Sequence, residues 1–149
     1  MKKESKDLKY KQRTISVWNE VAPFYHKRWA KNEVGPFGVT KKLLDMSKIK
    51  KNDTVLDLAC GTGLVTKKLI RKVGSKGHIY AIDSSESAIK IAKKWTGDVK
   101  NLHFIRADAE KVQFETKFDA ITCQYALFFF PNEQKVLKNM KKLLKKEGT

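Results

Sequence analysis

Cysteine, proline and arginine are all scarce in these 149 residues, and each scarcity closes off a class of protein. The two cysteines, Cys60 and Cys123, lie far apart, each in or just after an apolar run. A disulfide scaffold needs more of them, and a metal site needs closer spacing. They read as reduced, buried small hydrophobes of the kind cytosolic proteins carry. Long apolar runs are also lacking. The longest near the end, YALFFF at 125–130, is far too short to span a bilayer. Residues 1–13 are too polar to contain the apolar centre of a signal peptide. The expectation is a soluble, cytoplasmic protein with no membrane span.

Arginine is the informative absence. The chain carries 32 Lys and Arg against 16 Asp and Glu, a formal charge of +16. Taken alone, that points to an acidic partner such as nucleic acid. Only Arg13, Arg28, Arg71 and Arg106 are arginine, however, whereas planar recognition of phosphates and bases favours the guanidinium. The lysines come in pairs scattered along the chain, mostly on faces that read as solvated helix. Nucleic acid is therefore a partner the composition allows and does not favour.

What is present is an alternation of strands and helices. The first dozen residues read as a Lys-rich, frayed arm. Ile15, Trp18, Val21, Phe24 and Tyr25 have helical spacing, interrupted near Pro23, and a second helix is expected over 37–46. After KIKKND the texture changes. Strands are expected at 54–59, 78–83, 102–108 and 118–126, with helices at 62–73, 85–95 and 132–146, Ser85 being an N-cap. This order predicts an α/β fold, a doubly wound and mostly parallel sheet covered on both faces. The division expected is an arm and lid helices over 1–50, then a ligand-binding domain over 51–149.

In such sheets the ligand lies beyond the carboxyl ends of the strands, where strand order reverses. Strand one runs into Asp57-Leu58-Ala59-Cys60-Gly61-Thr62-Gly63, strand two ends in Asp83, strand three in Asp108-Ala109, and strand four near Gln124-Tyr125. Three successive strands thus deliver a carboxylate to one rim. A dinucleotide fits this poorly: Thr66 stands where the third glycine of G-x-G-x-x-G belongs, and Asp57 would repel a pyrophosphate. A nucleoside carrying a positive charge fits better. Its ribose diol can donate to Asp83, an exocyclic amine to Asp108, and an ammonium can sit near Asp57. The glycines allow close backbone approach without phosphate.

The run VLDLACGTG, the acid after strand two and the Asp-Ala pair after strand three resemble class I S-adenosylmethionine-dependent methyltransferases. Within that family the chain is most similar, over about 14–149, to the branch related to ubiquinone/menaquinone-biosynthesis methyltransferases. The resemblance implies a Rossmann-like methyltransferase fold with S-adenosyl-L-methionine as cofactor and a small-molecule acceptor. It implies that Asp57 and the turn Ala59, Gly61, Thr62, Gly63 hold the methionine part. Asp83 would take the ribose hydroxyls with Ser84 beside it, and Asp108 the adenine amine with the Ala109 N–H on the ring. Gln124 would lie by the transferring methyl. The segment SVWNEVAPFYHKRW looks like the family's lid, with Tyr25 closing over the cofactor; plain helix packing accounts equally well for its aromatics. The family's usual first glycine is Ala59 here. No general base stands out, and His26, His78 and His103 have no evident role.

The family's sheet normally continues through three more strands beyond the helix that ends in LLKKEGT. The reading expected is a fragment of a longer enzyme, with strand four and ITCQYALFFF left as an apolar edge through which the chain could self-associate. Two alternatives stand beside small-molecule methyl transfer: an RNA or protein methyltransferase using the basic surface, and a non-catalytic cofactor-binding half-domain that pairs through its open edge. An NAD-dependent oxidoreductase comes last.

Overall fold

The computed structural model describes residues 2–149. Four parallel strands form one sheet in the order β3-β2-β1-β4: β1 Thr54–Leu58, β2 His78–Asp83, β3 Leu102–Arg106 and β4 Ala120–Thr122. Five α-helices accompany them: α1 Lys2–Tyr25, α2 Thr40–Met46, α3 Leu64–Val73, α4 Glu86–Thr96 and α5 Glu133–Leu143. From β1 the chain builds outward through β2 and β3, then crosses back to place β4 on the other flank of β1. The switch point therefore lies between β1 and β4, which brings the carboxyl ends of both into the expected ligand crevice.

Alternation along the strands divides the core in two. Val55 and Ile79 face Leu44, Ile49, Leu69 and Val73 on one side, while Leu56, Leu58 and Ile82 face Phe118, Val136 and Leu143 on the other. Both faces of a parallel sheet are thus buried, which is why β1 and β2 read as nearly continuous apolar runs. Leu56, Ile79, Leu69 and Phe118 are essentially inaccessible. At roughly 1.5–3 kcal/mol for each such side chain, this packing is the main source of stability.

Several expectations need correction at their edges. The N-terminal arm is helical from Lys2, and α1 continues through Pro23 into a wide π turn over His26–Ala30. Pro23 denies the Asn19 carbonyl a helical partner. Packing of α1 along α4 compensates, because the Asn19 side chain accepts from the Ser85 hydroxyl (2.8 Å) and the Ser87 N–H (3.2 Å). The expected second helix divides into a 3-10 turn at Gly35–Val39, opened by Pro36, and the shorter α2.

Strand four is only three residues long, not the nine expected. The following Leu127–Phe129 form a 3-10 turn, and Phe129 packs edge-on against Trp18 at 5.5 Å. The apolar stretch thus goes into the cavity wall and core more than along a sheet edge. The outer side of β4 is also engaged: Ile121 N–H donates to the Thr149 carbonyl and Thr149 N–H to the Asp119 carbonyl.

Candidate functional site

All but one of the residues put forward as cofactor-binding line one cavity. Asp57, Ala59, Gly61, Thr62, Asp83, Ser84, Asp108, Ala109 and Gln124 contribute to its floor and rim, and Tyr25 of α1 to its cover. Gly63 is the exception; it lies just behind the turn. A Cβ there would stand 2.9 Å from Ala92 Cβ and 3.2 Å from Ala92 Cα, and its φ is +92°, so glycine lets the turn press against α4. Gly61 differs. Its φ of +54° is also left-handed, but a Cβ would meet nothing within 4 Å, leaving open space above the turn. Ala59 takes φ +54° and Tyr125 φ +55°. Such conformations cost a non-glycine residue about 1–2 kcal/mol; Ala59 follows directly on β1, Tyr125 lies in the segment beyond β4, and both line the cavity.

Each carboxylate is held differently. Asp57 is 1% exposed, and both its oxygens accept from buried hydroxyls: Thr66 Oγ1 at 2.6 Å and Thr122 Oγ1 at 2.9 Å. Burial drives its carboxyl up to about 6; the threonine hydrogen bonds oppose that rise and the nearby Asp83 adds to it. Asp83 accepts from the Gly61 N–H and the Ser85 N–H, both at 2.8 Å, so it clamps the glycine turn to the start of α4. Burial raises its carboxyl too, against the pull of those backbone donors. Each Asp83 oxygen retains a lone pair for a ligand hydroxyl.

Asp108 accepts from the Glu110 N–H at 2.9 Å and from Lys11 Nζ of α1 at 2.8 Å. Burial works to raise its carboxyl, and the bonds from Lys11 and the Glu110 N–H outweigh it, leaving it below the ordinary range. Gln124 Oε1 accepts from the buried Thr40 hydroxyl at 3.1 Å, while its Nε2 is buried with no protein partner. A buried amide donor left free inside a cavity is costly unless a ligand takes it.

The cover is aromatic. Trp18, Tyr25 and Phe37 meet Tyr125 and Phe129 across the mouth, with Trp18–Tyr25 centroids 5.2 Å apart, Tyr25–Phe37 5.5 Å and Phe37–Tyr125 6.5 Å. Burial, and then the facing Tyr125, raise the Tyr25 phenol, so it stays neutral. No histidine of the described residues lines this cavity. His26 packs on Trp95 and sits 3.1 Å from the Thr62 hydroxyl, and His78 stacks on His103 at the far end of the sheet. Cys60 lines the floor, its thiol pushed well up by burial. Among the described residues no cluster of three metal-ligating side chains occurs, and no helix is long and apolar enough to cross a membrane.

Sequence reasoning missed Lys11, Thr40, Thr66 and Thr122, and named Tyr125 only as the end of strand four. For Thr66 a signal existed: a hydroxyl on the buried face of an amphipathic helix needs a partner. Lys11 had none, since its contacts lie 97 residues away.

A parallel sheet with a glycine turn after β1 and carboxylates at the end of β2 and just beyond β3, all lining one crevice, is a Rossmann-like α/β fold with its cavity at the carboxyl ends of the strands. The comparisons agree. Residues 49–149 match the family model described as a methyltransferase domain, and the chain belongs to that family. The ubiquinone/menaquinone biosynthesis C-methyltransferase of an Enterobacter species is 33% identical over 140 residues, covering 86% of this chain and 56% of that protein. The demethylmenaquinone methyltransferase of Staphylococcus aureus is 33% identical over 124 residues, covering 83% and 47%. The chain thus spans about half the length of these curated relatives.

Among solved structures, a methyltransferase from Bacillus halodurans superposes with a TM-score of 0.67 at 29% identity, covering 74% of this chain and 48% of its own. An S-adenosylmethionine-dependent methyltransferase from Aquifex aeolicus gives 0.67 at 25%, covering 78% and 65%.

Proposed function

We propose that this chain forms the cofactor-binding half of an S-adenosylmethionine-dependent methyltransferase acting on a small, planar, oxygen-bearing aromatic acceptor. One observation carries the reading: Asp57 of β1, Asp83 at the end of β2 and Asp108 in the loop after β3 line a single cavity with the glycine turn. The donor set suits the cofactor. Asp83 has acceptor capacity for a ribose diol, Asp108 for the adenine amine beside the Ala109 backbone, and Gln124 Nε2 supplies a free buried donor at the methionyl end. The open space above Gly61 admits the ligand against the backbone.

Asp57 has a narrower part than an ammonium ligand. At 1% exposure and hydrogen-bonded to Thr66 and Thr122, it fixes the floor of the cavity at the level where the methionyl group would rest. When bound, the sulfonium supplies an electrophilic methyl group. The protein's own task is then to orient the acceptor and exclude water, and orientation can lower such barriers by about 7–11 kcal/mol. Trp18, Phe37, Tyr125 and Phe129 provide flat apolar walls for a ring, and the relatives named for ubiquinone and menaquinone biosynthesis support that acceptor class. The cationic composition favours no macromolecule in particular, since its lysines are scattered along the chain.

The test is incubation with methyl-labelled S-adenosylmethionine and either hydroxylated aromatics or RNA. Label in solvent-extractable aromatic product supports the proposal. Label confined to RNA, or cofactor binding with no transfer and an obligate dimer by light scattering, favours one of the alternatives.

A further inference from the structure

Lys11 makes the longest-range polar contact of the site. Its ammonium lies 2.8 Å from Asp108 Oδ2 and 2.9 Å from Glu110 Oε2, with the lysine side chain 18% exposed and that of Glu110 only 7%. Burial works to lower the lysine's pKa, and the hydrogen bonds to the two carboxylates more than reverse it, so it stays charged. Glu110 Oε1 is buried with no partner. Lys11 also lines the cavity itself, as do Asp57 and Asp83. A cation on the covering helix therefore occupies one of the carboxylates that the proposed reading assigns to a ligand amine, and a second carboxylate with a free oxygen stands next to it.

We infer that Lys11 gates the adenosine end of the cavity: it holds α1 down through Asp108 and Glu110, and a ligand amine at Asp108 displaces it onto Glu110 alone. This rests on the reading that Asp108 receives the exocyclic amine. Glu110 is the retreat that lets Lys11 surrender one partner without being left as a buried, unpaired charge, which would be prohibitive. Its unpartnered Oε1 gives the ammonium room for a second contact once Asp108 is taken. Lys11 is a competitor for the site, and Glu110 makes the competition mild. The helix stays latched in both states because Asn19 holds Ser85 and Ser87 further along.

The test is calorimetric titration with adenosine, and with inosine, which has no exocyclic amine. A double-mutant cycle over Lys11→Met and Glu110→Gln isolates the coupling. Lys11→Met is expected to tighten adenosine binding about fivefold, the scale of one partly exposed ion pair. Glu110→Gln is expected to weaken it about threefold in the parent and to change nothing in the Lys11→Met background. Weaker or unchanged binding by Lys11→Met overturns the proposal, as does an equal effect of Glu110→Gln in both backgrounds.

If Lys11→Met fails to fold, the parent protein decides. Raising NaCl from about 0.02 to 0.2 M loosens the ion pair and strengthens the binding of neutral adenosine; constant or falling affinity contradicts the gate. The underlying reading fails separately, if adenosine and inosine bind the parent alike or if Asp108→Asn leaves a preference for adenosine intact.

Discussion

Asp57 on β1 and Thr122 on β4 are register partners in adjacent parallel strands, and the Thr122 hydroxyl donates to Asp57 Oδ1 across 2.9 Å. The bond ties together the two strands that flank the switch point, and Thr66 of α3 closes the other side of the same carboxylate at 2.6 Å. A buried acid thus knits strand, strand and helix directly beneath the candidate site.

The cost of that arrangement is pH dependence. Burial lifts the Asp57 carboxyl from an ordinary 3.8 to about 6. Between those values the folded protein holds the proton and the unfolded chain does not. The contribution to stability is therefore full below the ordinary value and lost as pH rises through about 6. Asp57→Asn removes it. Urea unfolding at a series of pH values should show the stability difference between parent and variant shifting by roughly 2–3 kcal/mol between about pH 4 and 6.5. Parallel curves would mean that the carboxyl titrates normally. Asp83, also raised by burial, is present in both proteins, and its repulsion of Asp57 is part of the difference measured.

The two glycines of the turn should separate packing from access. Gly63→Ala drives a Cβ into Ala92 at 2.9 Å on top of an unfavourable φ, and about 2–4 kcal/mol of destabilisation is expected. Gly61→Ala meets no neighbour, so only its left-handed backbone counts, about 1–2 kcal/mol. Its methyl group enters the open space, so ligand binding should suffer more than folding does. Denaturation and titration of both variants check this; equal stability losses would contradict the packing argument.

α1 should loosen as a unit. Asn19→Ala removes the acceptor for the Ser85 hydroxyl and the Ser87 N–H, costing about 1–2 kcal/mol of docking. Amide hydrogen exchange should then rise over the α1 residues that follow the first turn and stay unchanged in β1 and β2. Uniform acceleration throughout the sheet would show that α1 is integral to the core rather than a cover.

Much of this site was legible because strand periodicity and strand-end chemistry are local. β2 occupies 78–83 as its short apolar run predicts, and Ser85 caps α4 by accepting from the Ala88 N–H at 3.1 Å. Asp57, Asp83 and Asp108 line one cavity because three parallel strands run toward the same rim, each acid standing two residues further along the register than the one before. What escaped was tertiary. Lys11 is one lysine among many in a polar arm, and only the packing of α1 selects it. Pro23 signals a helix break, yet the α1–α4 contact holds the helix through it. The left-handed Tyr125, which lies beyond the short β4 and meets Phe37 edge-on, carries no local sequence mark.

The central claim is that the three strand-end acids form a binding site for S-adenosylmethionine. Titration calorimetry of the parent and of Asp83→Ala, with thermal melts to show that both are folded, tests it most directly. The account predicts saturable, one-to-one binding by the parent. Asp83→Ala should lose roughly 100-fold in affinity, the worth of two hydrogen bonds to a charged group. A folded parent that binds no S-adenosylmethionine, or an Asp83→Ala variant that binds it as tightly as the parent, would contradict the account.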